Sequence, residues 1–175
     1  IEVEEEGMIQ ALNMSLRTCR RRRIETQVHL HSPIYYPTLF HVKRLLTVGI
    51  ESASNPKYLD LIDFKDLEQF DKFLRVGVAR TDIDAMAAEW NEKWDTNVWE
   101  TPEDFIKLVS SEEGPWVIQK RLEKAYKMFS NRVRCVGPDC GLNSWPDQEI
   151  ASLLLKNVSV AVNNFKKKRR KIFPL

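Results

Sequence analysis

Much is scarce in this 175-residue chain, and each scarcity excludes something. Cysteine is rare: Cys19, Cys135 and Cys140 are the whole set. An odd number without a dense framework argues against a disulfide-stapled secreted domain and for a reducing compartment. Their spacing leaves open one local bridge, Cys135–Cys140, across a Gly-Pro turn. Six glycines and eight prolines exclude collagen-like and mucin-like classes. No apolar run is long enough to span a bilayer. The most apolar stretch, Ile150 to Val162, is interrupted by Ser152, Lys156, Asn157 and Ser159. No secretory apolar segment is present either. The expectation is a soluble chain, and a start at Ile1 reads as a piece or processed product of something longer. Glycine-rich phosphate loops and the G-x-S-x-G setting of a nucleophile are both missing.

What is present is apolar material for one core, at 43% hydrophobic residues, arranged largely at helical spacing. Leu39, Val42, Leu45 and Leu46 predict a helix over 38–48, with Pro37 before it and Gly49 after it. Asp63 caps a second expected helix, which carries Phe64, Leu67, Phe70, Phe73 and Leu74 and stops at Gly77. Thr81 opens a third, with Ile83, Met86, Ala87, Trp90 and Trp94 on one face. Thr101-Pro102-Glu103-Asp104 starts a fourth. Ile118, Leu122, Ala125 and Phe129 form the stripe of a fifth. The last begins near Ser144 and buries Ile150, Leu153, Leu154, Val158, Ala161 and Phe165. Strand signals are confined to the alternation over 24–30 and to Val133–Val136. The expected fold class is therefore mainly α. About six packed helices would form one globular domain, residues 1–165, with at most a short β-ribbon, and a basic C-terminal tail would occupy 166–175.

Charge is scarce only in the total. The 27 Lys and Arg nearly cancel 25 Asp and Glu, for a net +2. Ten of the cations, however, sit in two runs: Arg20, Arg21, Arg22, Arg23, and Lys166, Lys167, Lys168, Arg169, Arg170, Lys171. The other 17 face all 25 acids, so the remainder carries −8. Concentrated cations contact phosphates with salt-dependent affinity, and such runs also read as nuclear import segments. An anionic membrane surface would attract the same charges. Acids at Glu2, Glu4, Glu5 and Glu6 offer the first run an internal alternative. This pattern points to a non-enzymatic helical module of a larger nuclear or viral protein, contacting nucleic acid or a nucleoprotein complex, with a protein partner on its acidic body.

Several constellations compete with that reading. Gly77-Val78-Ala79-Arg80-Thr81 between two expected helices resembles the turn of bacterial helix-turn-helix regulators. The second helix, however, begins with Asp82 and Asp84 and carries Glu89, acids that phosphates repel. An ordinary helical hairpin fits those residues better. His29 and His31 alternate on one strand face, and Cys135 and Cys140 bracket a Gly-Pro turn. Together they would make a tetrahedral zinc site, although nothing in the sequence joins the two halves. The His29-Leu30-His31 triplet resembles the metal-binding motif of rolling-circle replication endonucleases. That resemblance implies a metal-dependent nuclease with a tyrosine nucleophile, for which Tyr126 with Lys127 is the nearest match, at the wrong spacing. A third reading is a self-assembling structural unit, matrix- or capsid-like. Trp90 and Trp94 read as core, and Trp99, Tyr35 and Tyr36 as candidate exposed contacts.

Overall fold

The computed structural model describes residues 3–22 and 24–172, apart from the side chains at 3, 20, 21, 102 and 170–172. Helices α1 (Val3–Ser15) and α2 (Arg17–Arg21) precede strand β1 (Gln27–His29). Helix α3 (Tyr36–Phe40) leads into β2 (Thr47–Ile50), and α4 (Phe64–Gln69) into β3 (Phe73–Ala79). Helices α5 (Ile83–Trp94), α6 (Pro102–Glu112) and α7 (Pro115–Phe129) follow, then β4 (Val133–Pro138) and the long α8 (Gln148–Ile172). The four strands form one all-parallel sheet in the order β1-β2-β3-β4. The protein is therefore an α/β structure, and the mainly helical expectation is corrected.

Two expected helices caused the error. Residues 38–48 split into the short α3 and the start of β2. The second, drawn from Asp63 to Gly77, splits into α4 and β3. A short run dominated by apolar residues, such as Leu45 to Ile50, is not separated from a helical face by periodicity alone. β2 is buried at all four positions. The break before β3 is local. Asp71 takes a left-handed conformation, φ 49°, while the Phe70 N–H closes the last turn of α4 on Asp66 O. The segments at 24–30 and 133–136 do hold strands, but at opposite edges of the sheet. The turn that resembled a helix-turn-helix lies largely inside β3, so no such motif forms there.

The expected amphipathic stripes account for the helical side of the core. Ile118, Leu122, Ala125 and Phe129 of α7 are buried, as are Ile150, Leu154, Val158 and Ala161 of α8. They join Val48, Ile50, Leu74, Val76 and Val78 of β2 and β3 in one apolar cluster. Because a strand alternates its faces, the intervening residues point the other way. That second face carries Gln27, His29, Thr47, Gly49, Phe73, Arg75, Gly77 and Gly137. It is polar and rich in glycine, so its composition is that of a face beside a site rather than a face inside a core. Trp90 stays only partly buried and Trp94 is about half exposed, at the margin of the core rather than within it.

Candidate metal centre

Parallel strands end at one rim, and in parallel α/β architectures functional groups gather at the carboxyl ends of the strands. β1 ends at His29, with His31 two residues on. β2 ends at Ile50, and Glu51 is the next residue. β4 ends at Pro138, and Cys140 lies two residues beyond. One donor atom from each of His29, His31, Glu51 and Cys140 falls within 4.8 Å of the others. His29 Nε2 lies 3.1 Å from Glu51 Oε1, and His31 Nδ1 lies 2.7 Å from the same oxygen. The two imidazoles stand edge to face at 5.2 Å. Donors on a tetrahedral zinc, with bonds of about 2.0–2.3 Å, sit roughly 3.3–3.8 Å apart, so this cluster is already close to the required size.

The donor set is chemically coherent. Two imidazole nitrogens, one carboxylate oxygen and one thiolate sulfur suit zinc, which accepts all three ligand types. His29 and Glu51 are mostly shielded, whereas the His31 side chain is 74% exposed, so the cluster opens to solvent on one side. Gly49 shapes the closed side. A Cβ there would sit 3.0 Å from His29 Nδ1, so the ring rests on bare backbone. That Nδ1 is buried without a hydrogen-bond partner among the described residues. Tyr36, fully buried, lies near Glu51, and burial holds its phenol above the ordinary value. Burial likewise pushes the Asp139 carboxyl up, against the opposing pull of hydrogen bonds from Ser54 and Ala53.

Three of the four residues expected from sequence as metal ligands thus meet, and one does not. His29, Gly49, Arg75 and Cys135 form one register line across the sheet. Three inter-strand steps of about 4.8 Å therefore separate Cys135 from His29. Cys140 escapes that limit because it lies beyond the strand end, where the chain turns back over the rim. All three cysteines are free thiols, so the Cys135–Cys140 bridge is not formed. Glu51 was not anticipated. Its signals were its place directly after a short apolar strand and the glycine two residues earlier, since an isolated strand glycine marks a close approach.

None of the basic-run residues belongs to the four-donor cluster. Arg23 falls outside the described residues, as do the side chains of Arg20, Arg21, Arg170 and Lys171; Arg22 is exposed. α8 continues unbroken through positions 166–172. Lys168 Nζ pairs with Glu123 at 2.8 Å, and the Arg169 guanidinium stacks 4.2 Å from the Tyr126 ring. Lys166 and Arg169 join Arg134, Tyr126 and Phe165 along a groove of about 690 Å³ between α7, α8 and β4, which includes none of the four cluster residues. Among the described residues no helix is long and apolar enough to cross a membrane. No protein family matches the chain, and no curated protein or solved structure does either.

Proposed function

We propose that the chain is a zinc-dependent enzyme, or the metal-bearing part of one, with the ion held by His29, His31, Glu51 and Cys140 at the carboxyl rim of the sheet. The observation that carries this reading is the convergence of four donors of mixed type from the ends of three different strands. A structural zinc typically sits in a closed shell and supplies the folding energy of a small domain. Here the apolar core is extensive and includes none of the four cluster residues, and the cluster opens to solvent at His31. Both features favour catalysis over stapling. Bound zinc would supply Lewis-acid chemistry to a substrate donor that displaced the exposed His31 or joined the four ligands from that side. His29 and Glu51 would hold the ion from the sheet, and Cys140 would close it from the β4 side.

The test is elemental analysis of the purified chain together with His29→Ala and Cys140→Ala. The expected result is one zinc per chain, lost in both variants. A metal-free wild type that also fails to take up added zinc contradicts the proposal. The polyanion reading rests on the charge runs and keeps its own assay. If it holds, deleting 166–171 weakens nucleic-acid binding and flattens its salt dependence.

A further inference from the structure

Asp139, next to the proposed ligand Cys140, is 1% exposed and uses its whole polar surface to tie two loops together. Its Oδ1 accepts the Ala53 N–H at 3.0 Å. Its Oδ2 accepts the Ser54 N–H at 2.7 Å and the Ser54 hydroxyl at 2.6 Å. Its own N–H donates to Ala79 O of β3 at 2.8 Å. From the other side, the Arg75 guanidinium donates to Pro138 O at 2.5 Å and to Asp139 O at 3.3 Å. The Asp139 carboxylate therefore crosses over β3 to reach the loop after β2. Gly77 is what lets it cross, because a Cβ there would lie 1.8 Å from Oδ1. Ser52, between Glu51 and Ala53, is fixed as well: its hydroxyl donates to Gly77 O at 2.7 Å.

The two loops joined in this way are the ones that carry metal ligands. Glu51 lies two residues before Ala53, and Cys140 follows Asp139. We propose that Asp139 is a positioning residue that sets the Glu51–Cys140 geometry of the metal centre. This inference rests on the zinc reading above. Both carboxyl oxygens serve as acceptors, Oδ1 for one backbone N–H and Oδ2 for a second N–H and a hydroxyl. An asparagine in the same place turns an NH2 group toward backbone N–H donors and opens the strap. Groups that orient metal ligands in this way commonly change metal affinity ten- to a hundredfold when removed.

The experiment compares zinc affinity, and the thiolate and ligand-field bands of the cobalt-substituted chain, in wild type, Asp139→Asn and Ser54→Ala. Folding is followed separately by circular dichroism. The expected result is a ten- to hundredfold loss for Asp139→Asn and a smaller loss for Ser54→Ala, each with altered cobalt bands while the far-ultraviolet spectrum is retained. A purely structural role would lower the thermal midpoint and leave the cobalt bands of the folded fraction unchanged, and that result overturns the proposal. Should Asp139→Asn fail to fold, Ser54→Ala carries the same comparison. If wild type takes up neither metal, the zinc reading fails and the positioning role falls with it. If wild type binds and Asp139→Asn binds equally well with the same bands, the zinc reading stands and only the positioning role is lost.

Discussion

A glycine on a strand leaves a flat patch of backbone, and three such patches here each lie under one polar side chain. His29 covers Gly49, Arg75 covers Gly137 and Asp139 covers Gly77. The residues that make the rim chemically interesting are thus seated where no Cβ competes with them. A second kind of residue-level fit involves Lys72, which is 3% exposed. Its Nζ donates to Val42 O at 2.8 Å and Leu45 O at 2.7 Å. Two carbonyl acceptors match the two N–H bonds of a neutral amine, and burial lowers the pKa of this ammonium from its ordinary value. The folded chain therefore releases this proton at a lower pH than the unfolded chain, which keeps it up to about 10.4. Between those values the unfolded state binds more protons, so the stability contributed by Lys72 rises with pH across the window. Urea unfolding of wild type and Lys72→Met at a series of alkaline pH values tests this. The difference in favour of wild type is expected to grow as pH climbs toward 10.4, whereas a flat difference would show that burial leaves Lys72 unperturbed.

At the scale of elements, helix ends are where local chemistry is easiest to change. α5 closes on Asp95 in a left-handed conformation, φ 49° and ψ 50°, a C-terminal geometry that glycine adopts without a steric penalty. Asp95→Gly is expected to stabilise the chain by about 1 kcal/mol, read as a higher thermal midpoint. A lower midpoint would mean that the carboxylate contributes more than its backbone costs. Helices were also the legible part of the sequence. The stripe of α7 was readable residue by residue because a helix is specified by neighbours three and four positions apart. β2 and β3 were not, because a parallel strand earns its partners only through a distant crossover. Leu45 to Ile50 carries no local mark that distinguishes a buried strand from a helical face. The His-x-His pair was legible as a period-2 feature of the segment that holds β1 and runs just past it. Its union with Glu51 and Cys140 was not, since it depends on strand order and on the turn of the chain beyond β4.

For the whole molecule, the organising fact is a division of labour between the two faces of one sheet. Helices and apolar side chains cover one face, while the other is polar and leads to a rim where four metal-competent donors meet. Within the described residues, the second charge run continues α8, where Lys168 and Arg169 already have partners in α7. The apolar core of the chain includes none of the four cluster residues. The chelator-stripped chain is therefore expected to stay folded and to gain stability as zinc is returned, in proportion to RT ln(1 + [Zn]/Kd). The most direct test of the central claim is a calorimetric zinc titration of that stripped chain, run beside Glu51→Gln and Cys135→Ala. Glu51 discriminates best, because only the three-dimensional arrangement makes it a ligand. The predicted result is one zinc per chain with release of protons, binding at least tenfold weaker in Glu51→Gln, and binding unchanged in Cys135→Ala. Absence of binding in wild type, or a loss that follows Cys135 rather than Glu51, would contradict the account.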